Sequence, residues 1–141
     1  MTPEQKQVIR TSFEQVKRIT DVAATLFYGR LFDLDPSLER LFKGDLHTQG
    51  RMLFQVMTVV VDGLDDLDEL APSVQALGKR HAGYGVEDHH YKTVGAALLW
   101  TLERGLGSAF TAEVKTAWNA LYQLLAQTMK AGARKAIVVG V

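Results

Sequence analysis

Residues 74–95 read VQALGKRHAGYGVEDHHYKTVG. Val74, Leu77 and His81 recur at three- and four-residue steps, which puts them on one side of a helix. Gly83 and Gly85 stop that helix near His81, and a new one starts around Glu87-Asp88. An imidazole therefore closes a short helix on its apolar side, where glycines let the backbone turn away and leave space. A lone helical histidine is more often structural or exposed than a ligand. A neutral imidazole in this setting nevertheless suits a metal that offers an open coordination position.

Outward from this stretch the punctuation is helical. Pro72 is expected to open the helix that His81 closes, after an acidic, turn-like run at 62–71. Before it, Leu53, Val56, Met57, Val60 and Leu64 mark the most periodic helix of the front half. Lys43-Gly44-Asp45 breaks the chain ahead of that helix. Asp35-Pro36 opens a short segment ending near Phe42, and Asp21 helps open one running to Leu34. Thr2-Pro3-Glu4-Gln5 reads as a capping box with proline in the first turn. On the other side, the helix from Glu87 runs to Gly105-Leu106-Gly107. Thr111 caps the last helix, whose stripe is Trp118, Leu121, Tyr122, Leu125 and Met129. Lys130, Arg134 and Lys135 are expected near its C-terminus, where cations complement the dipole. Ala136 to Val141 read as a frayed or docked helix end. The expectation is one all-α domain, residues 1–141, of about seven helices.

Composition closes several routes. Cysteine is absent from the 141 residues, which excludes disulfides, thiolate metal sites and cysteine nucleophiles. Sixteen basic residues balance sixteen acidic ones, so no basic excess points to nucleic acid. No apolar run is long enough for a bilayer, and a cytoplasmic protein is expected. No His-x3-His zinc spacing occurs, and no Glu/His pair stands at i, i+4. His89 and His90 sit in a polar run and read as solvated. His47 could cap a helix or meet a propionate. The run Asp62, Asp65, Asp66, Asp68, Glu69 fails the EF-hand pattern and reads as a solvated corner.

The order of signals resembles the globin family over essentially the whole chain. Pro36 followed six residues later by Phe42 resembles the third globin helix and the phenylalanine that packs on the haem. Tyr28, fourteen residues before Phe42, lies where bacterial globins often place a distal tyrosine. Leu77-Gly78-Lys79-Arg80-His81, Gly85-Val86 and Tyr91 to Gly95 resemble the proximal region of single-domain bacterial globins, of flavohaemoglobin globin domains and of neuroglobin. Ala117-Trp118 and Tyr122 match the last helix.

The resemblance implies a three-over-three globin fold around haem b, with a short link from the third to the distal helix. It implies His81 as the iron ligand, its other ring nitrogen donating to a carbonyl such as that of Leu77. It implies Phe42 stacked on the porphyrin and Leu53 as the apolar wall. Leu77, Val86, Tyr91, Val94 and Leu98 would line the proximal and inner edge, and Tyr28 and Gln49 would be the distal donors. Lys79-Arg80 would meet propionates or form a solvated face.

The chain departs from the pattern in holding Gln49 where neuroglobin-like proteins place a distal histidine. It also reads Lys130-Ala131-Gly132-Ala133 where flavohaemoglobins carry an acid, and no reductase domain is expected within these 141 residues. The implied function is reversible binding of O2, with CO and NO, at a five-coordinate iron, for oxygen storage, transport or scavenging. The expected state is a monomer or weak homo-oligomer. Alternatives are a nitric oxide dioxygenase with a separate reductase, a haem-based gas sensor, and a haem-free helical sensor domain.

Overall fold

A computed structural model of the chain describes residues 1–139 and the side chains of residues 1–134. The expectations for Lys135 and for the Ala136 to Val141 terminus lie outside the described residues. Six α-helices are present: α1 Pro3–Lys17, α2 Thr20–Leu34, α3 Leu46–Asp62, α4 Leu67–Gly83, α5 His90–Leu106 and α6 Ala112–Val139. A 3-10 helix, Pro36–Leu41, links α2 to α3 as the seventh substantial segment. No strand occurs among the described residues, and no helix there is long and apolar enough to cross a membrane.

The caps explain the boundaries. Thr2 and Gln5 make the reciprocal capping box of α1. The Asp35 carboxylate accepts from Ser37 N–H. Asp45 accepts from the backbones of His47 and Thr48 to start α3. Thr111 Oγ1 accepts from Val114 N–H at 3.2 Å to start α6. Two helix starts differ from the sequence reading. Helix α4 starts at Leu67, so Pro72 lies inside it. Pro72 withholds its hydrogen bond only from Asp68, a first-turn residue exposed to water, so the helix tolerates it. Helix α5 starts at His90, later than Glu87-Asp88.

The helices pack three over three, with α1, α3 and α4 against α2, α5 and α6. The main core joins Ile9, Phe13 and Val16 of α1 to Phe54, Val60 and Val61 of α3, Leu102 of α5 and Trp118 and Leu121 of α6. Fully burying each such side chain contributes about 1.5–3 kcal/mol. Trp118 Nε1–H donates to Ser12 Oγ at 2.8 Å, so this core satisfies its indole. A second cluster joins Phe27, Tyr28 and Leu31 of α2 to Leu38 and Ala97.

Helix α4 is fastened to α6 by backbone contact. A Cβ built on Gly78 would lie 2.0 Å from the Met129 carbonyl oxygen, and one on Gly132 would lie 2.1 Å from that of Gln75. Only hydrogen fits at either place. Helix α3 instead packs on α2, where a Cβ on Gly50 would lie 2.6 Å from Ala24 Cβ. The two walls that face each other, α3 and α4, thus hang from different neighbours.

Candidate functional site

On α4 the apolar stripe ends at His81, as its spacing predicts. The Nδ1–H of His81 donates to the Leu77 carbonyl one turn back, at 2.8 Å. That bond fixes the tautomer and leaves the Nε2 lone pair available. His81 is half-buried, and Leu77 beside it is too. The helix carries on past His81 to Gly83, and Gly85 at φ +99° turns the chain away. Val86 N–H then donates to the His81 carbonyl at 3.0 Å, which ties the elbow back to the same turn.

Opposite, Gln49, Leu53 and Val56 fall at i, i+4 and i+7 on α3 and share a face. Leu53 is half-buried and Val56 is 39% exposed. Leu53, Phe42, Val94 and Leu98 all pack against the cluster that holds Tyr28, so the structure gathers these five expected residues in one place. Val86 is half-buried at the elbow, and Tyr91 is 8% exposed at the start of α5. Gln49 is half-buried, with its amide nitrogen beside Gly44 at the start of α3.

Tyr28 is the chemically informative group. Its ring lies edge-on to Phe42 and Phe27, with centroids at 5.4 and 5.1 Å, and stacks with Phe32 at 6.2 Å. Helix α3 approaches its Cε2 at Gly50. Burial pushes the phenol up to about 12, so it stays protonated and is a donor at neutral pH. Among the described residues no hydrogen-bond partner meets that hydroxyl. A buried ring ending in an unpartnered donor, an available imidazole nitrogen and half-exposed apolar residues on α3, α4 and α5 fit a flat, largely apolar group that takes an imidazole ligand. The donor set suits a haem.

Some of the other expectations changed and some did not. His90 is 8% exposed rather than solvated, and its Nδ1 accepts from Glu87 N–H. His89 is exposed. Among the described residues the His47 ring caps no helix and lies 3.9 Å from the Asp21 carboxylate. Lys130 does not end α6, which continues to Val139; its ammonium lies 5.5 Å from the Tyr91 ring centroid. Lys79 and Arg80 are exposed. In the acidic run, Asp65 pairs with Lys6 and Arg10 of α1 at 3.3 and 3.0 Å. The sequence reading missed the brace on Tyr91, whose carbonyl accepts from the Tyr122 hydroxyl. It also missed Phe32, although that residue falls one turn after Tyr28, which was signal enough to find it.

A family model described as Globin matches residues 25–129. Neuroglobin of Chaenocephalus aceratus is 32% identical over 94% of this chain and 92% of its own. The flavohemoprotein of Vibrio cholerae is 29% identical over 90% of this chain, which spans 33% of that protein. Among solved structures, an engineered carbene transferase, a candidate nitric oxide dioxygenase from Rhodothermus marinus, superposes with a TM-score of 0.88. It shares 21% identity over 99% of this chain and 97% of the other, a likeness of fold.

Proposed function

The chain belongs to the globin family, and on that premise we propose that it holds haem b through His81 and binds O2 and related diatomic gases on the opposite face. When bound, haem held by the neutral imidazole of His81 would supply an iron that takes such gases reversibly. The observation that supports the reading is an available His81 Nε2 on α4 together with an unpartnered Tyr28 hydroxyl in the cluster that gathers Phe42, Leu53, Val94 and Leu98.

The residues have separable roles. Leu77 holds the His81 ring plane through its carbonyl. Phe42, Val86, Val94 and Leu98 supply the apolar lining, Tyr91 its inner edge, and Leu53 limits water on the distal side. Tyr28, and Gln49 at the mouth of α3, donate to the partly negative outer atom of O2. Each such donor contributes about 0.5–1.5 kcal/mol, so together they slow release by roughly one to two powers of ten. CO carries less charge on its outer atom and gains less. The physiological role that follows is oxygen binding, storage or scavenging.

One experiment tests the reading. Ferric, ferrous, O2 and CO spectra of wild type should show a Soret band and a five-coordinate ferrous state. His81→Gly should lose or shift that band. A colourless wild type, or a spectrum unchanged by His81→Gly, overturns the proposal.

Tyr91, buried and braced by Tyr122, supports a second reading. In it O2, NO and one electron from a separate reductase give nitrate. Sustained NO consumption with a reductase and NADH supports that reading, and a single stoichiometric burst excludes it.

A further inference from the structure

The elbow between α4 and α5 separates the helix of His81 from the helix of Tyr91, Val94 and Leu98. Backbone turns hold part of it: Gly85 N–H donates to Ala82 carbonyl at 3.1 Å, Val86 N–H to His81 carbonyl and His90 N–H to Glu87 carbonyl at 3.0 Å each. One further bond is of another kind. The Glu87 N–H donates to the ring of His90, at Nδ1, over 2.9 Å. A ring that accepts at Nδ1 has no proton there, so the neutral tautomer carries it on Nε2. The imidazolium is a donor at both nitrogens and cannot accept.

We propose that His90 is a positioning residue for the proximal side of the site: its neutral ring closes the elbow, and protonating it frees the Glu87 N–H and loosens the seating of Val86 and His81. The consequence for His81 rests on the haem reading above; the elbow itself does not.

The surroundings give the open form somewhere to go. The Glu87 carboxylate and the ring of His89 lie within 4.8 Å of His90 ligand atoms, and the His89 and His90 ring centroids are 4.2 Å apart. From the 3-10 helix, Arg40 lines the same recess and the Asp35 carboxylate acts on both imidazoles. Ser37 there is committed to Asp35, to which its hydroxyl donates at 2.6 Å. Asp35 and Glu87 attract an imidazolium, while Arg40 and a protonated His89 oppose it. Acid therefore trades one backbone hydrogen bond for attraction to two carboxylates.

The same geometry disfavours a metal site. With Nδ1 spent on the backbone and Nε2 protonated, His90 offers a cation no lone pair. The remaining imidazole and exposed carboxylate fall short of a zinc ligand set.

The test reads the Glu87 amide by NMR hydrogen exchange in the purified full-length protein, between about pH 8 and about pH 5. Expressed as a protection factor, wild type should lose roughly tenfold on acidification. His90→Asn, whose amide oxygen accepts but does not titrate, should stay protected and flat. His90→Ala should be low throughout. Haem transfer to an acceptor apoprotein should accelerate severalfold with acid in wild type and not in His90→Asn. A pH-independent Glu87 amide in wild type, or the same acid loss in His90→Asn, overturns the elbow. A responsive elbow with matching haem-transfer profiles in wild type and His90→Asn overturns the positioning role. If the protein carries no haem, the haem reading and the positioning role fall with it, while the amide still decides the elbow.

Discussion

At the scale of single residues, the hydroxyl of Tyr28 separates folding from function. It bonds to nothing among the described residues, while its ring is packed among Phe27, Phe32 and Phe42. Tyr28→Phe should therefore keep the melting temperature or raise it slightly. In stopped-flow measurements it should release O2 roughly tenfold faster. An unchanged rate would remove the distal-donor role. Ser12 is the opposite case. Its hydroxyl meets the buried indole N–H of Trp118 and donates to the carbonyl of Val8. Ser12→Ala leaves that N–H buried and unpaired, at a cost of about 1–3 kcal/mol in urea unfolding, with the visible spectrum unchanged. How far residues were legible divides along the same line. The stripe that ends at His81 and the spacing from Tyr28 to Phe42 are local and readable. The burial of His90 is not, because the run Glu87-Asp88-His89 before it is polar and its partner, the Glu87 N–H, is presented only by the folded elbow.

At the scale of helices, the close passage of α4 over α6 holds the turn that carries His81. Gly78→Ala drives a methyl into the Met129 carbonyl, and Gly132→Ala drives one into that of Gln75. Backbone cannot rotate aside as a side chain does, so each change should cost at least about 1–3 kcal/mol. Each should also move α4 outward. Thermal unfolding and the rate of haem transfer should worsen together, and a destabilised variant with normal haem retention would break the link. Helix limits were readable where a capping side chain stood in the chain, as at Thr2, Asp45 and Thr111. They were misread at Pro72, because proline marks a start only when the residues before it are not already helical. The true length of α6 was equally hidden: Gly132, two residues after Lys130, does not end the helix but seats it against α4, and the apparent terminal cation became a partner for Tyr91 instead.

At the scale of the whole molecule, the pH limits of the fold follow from its hydrogen-bonded acids and buried phenols. Hydrogen bonds from Ser37, from Thr48 and from Lys6 hold the carboxyls of Asp35, Asp45 and Asp65 below the usual range. Their contribution is present above the unfolded carboxyl range near about pH 4 and is lost as pH falls through the lower folded values. Asp65→Asn should flatten part of the acid limb of an unfolding-versus-pH curve, and an identical limb would assign the acid sensitivity elsewhere. The phenols act at the other end. Burial raises Tyr28 to about 12 and raises Tyr122 as well. The unfolded chain ionises first, from about pH 10. Stability should therefore fall as pH climbs from there through the folded values, more gently in Tyr28→Phe. Such long-range pairings as Asp65 with Lys6 and Arg10 were invisible in the sequence, since fifty-odd residues separate partners that only the packed helices bring together.

The interlocked glycines of α4 and α6 also limit how this chain can drift. Most positions of a helix bundle accept several amino acids, because neighbouring side chains can yield. At residues 78 and 132 the obstacle is the polymer itself, so the tolerated alphabet there is a single letter. A saturation library sorted for colour should return two blank columns at those sites, while residue 29, where an added methyl would meet nothing within 4 Å, should remain permissive.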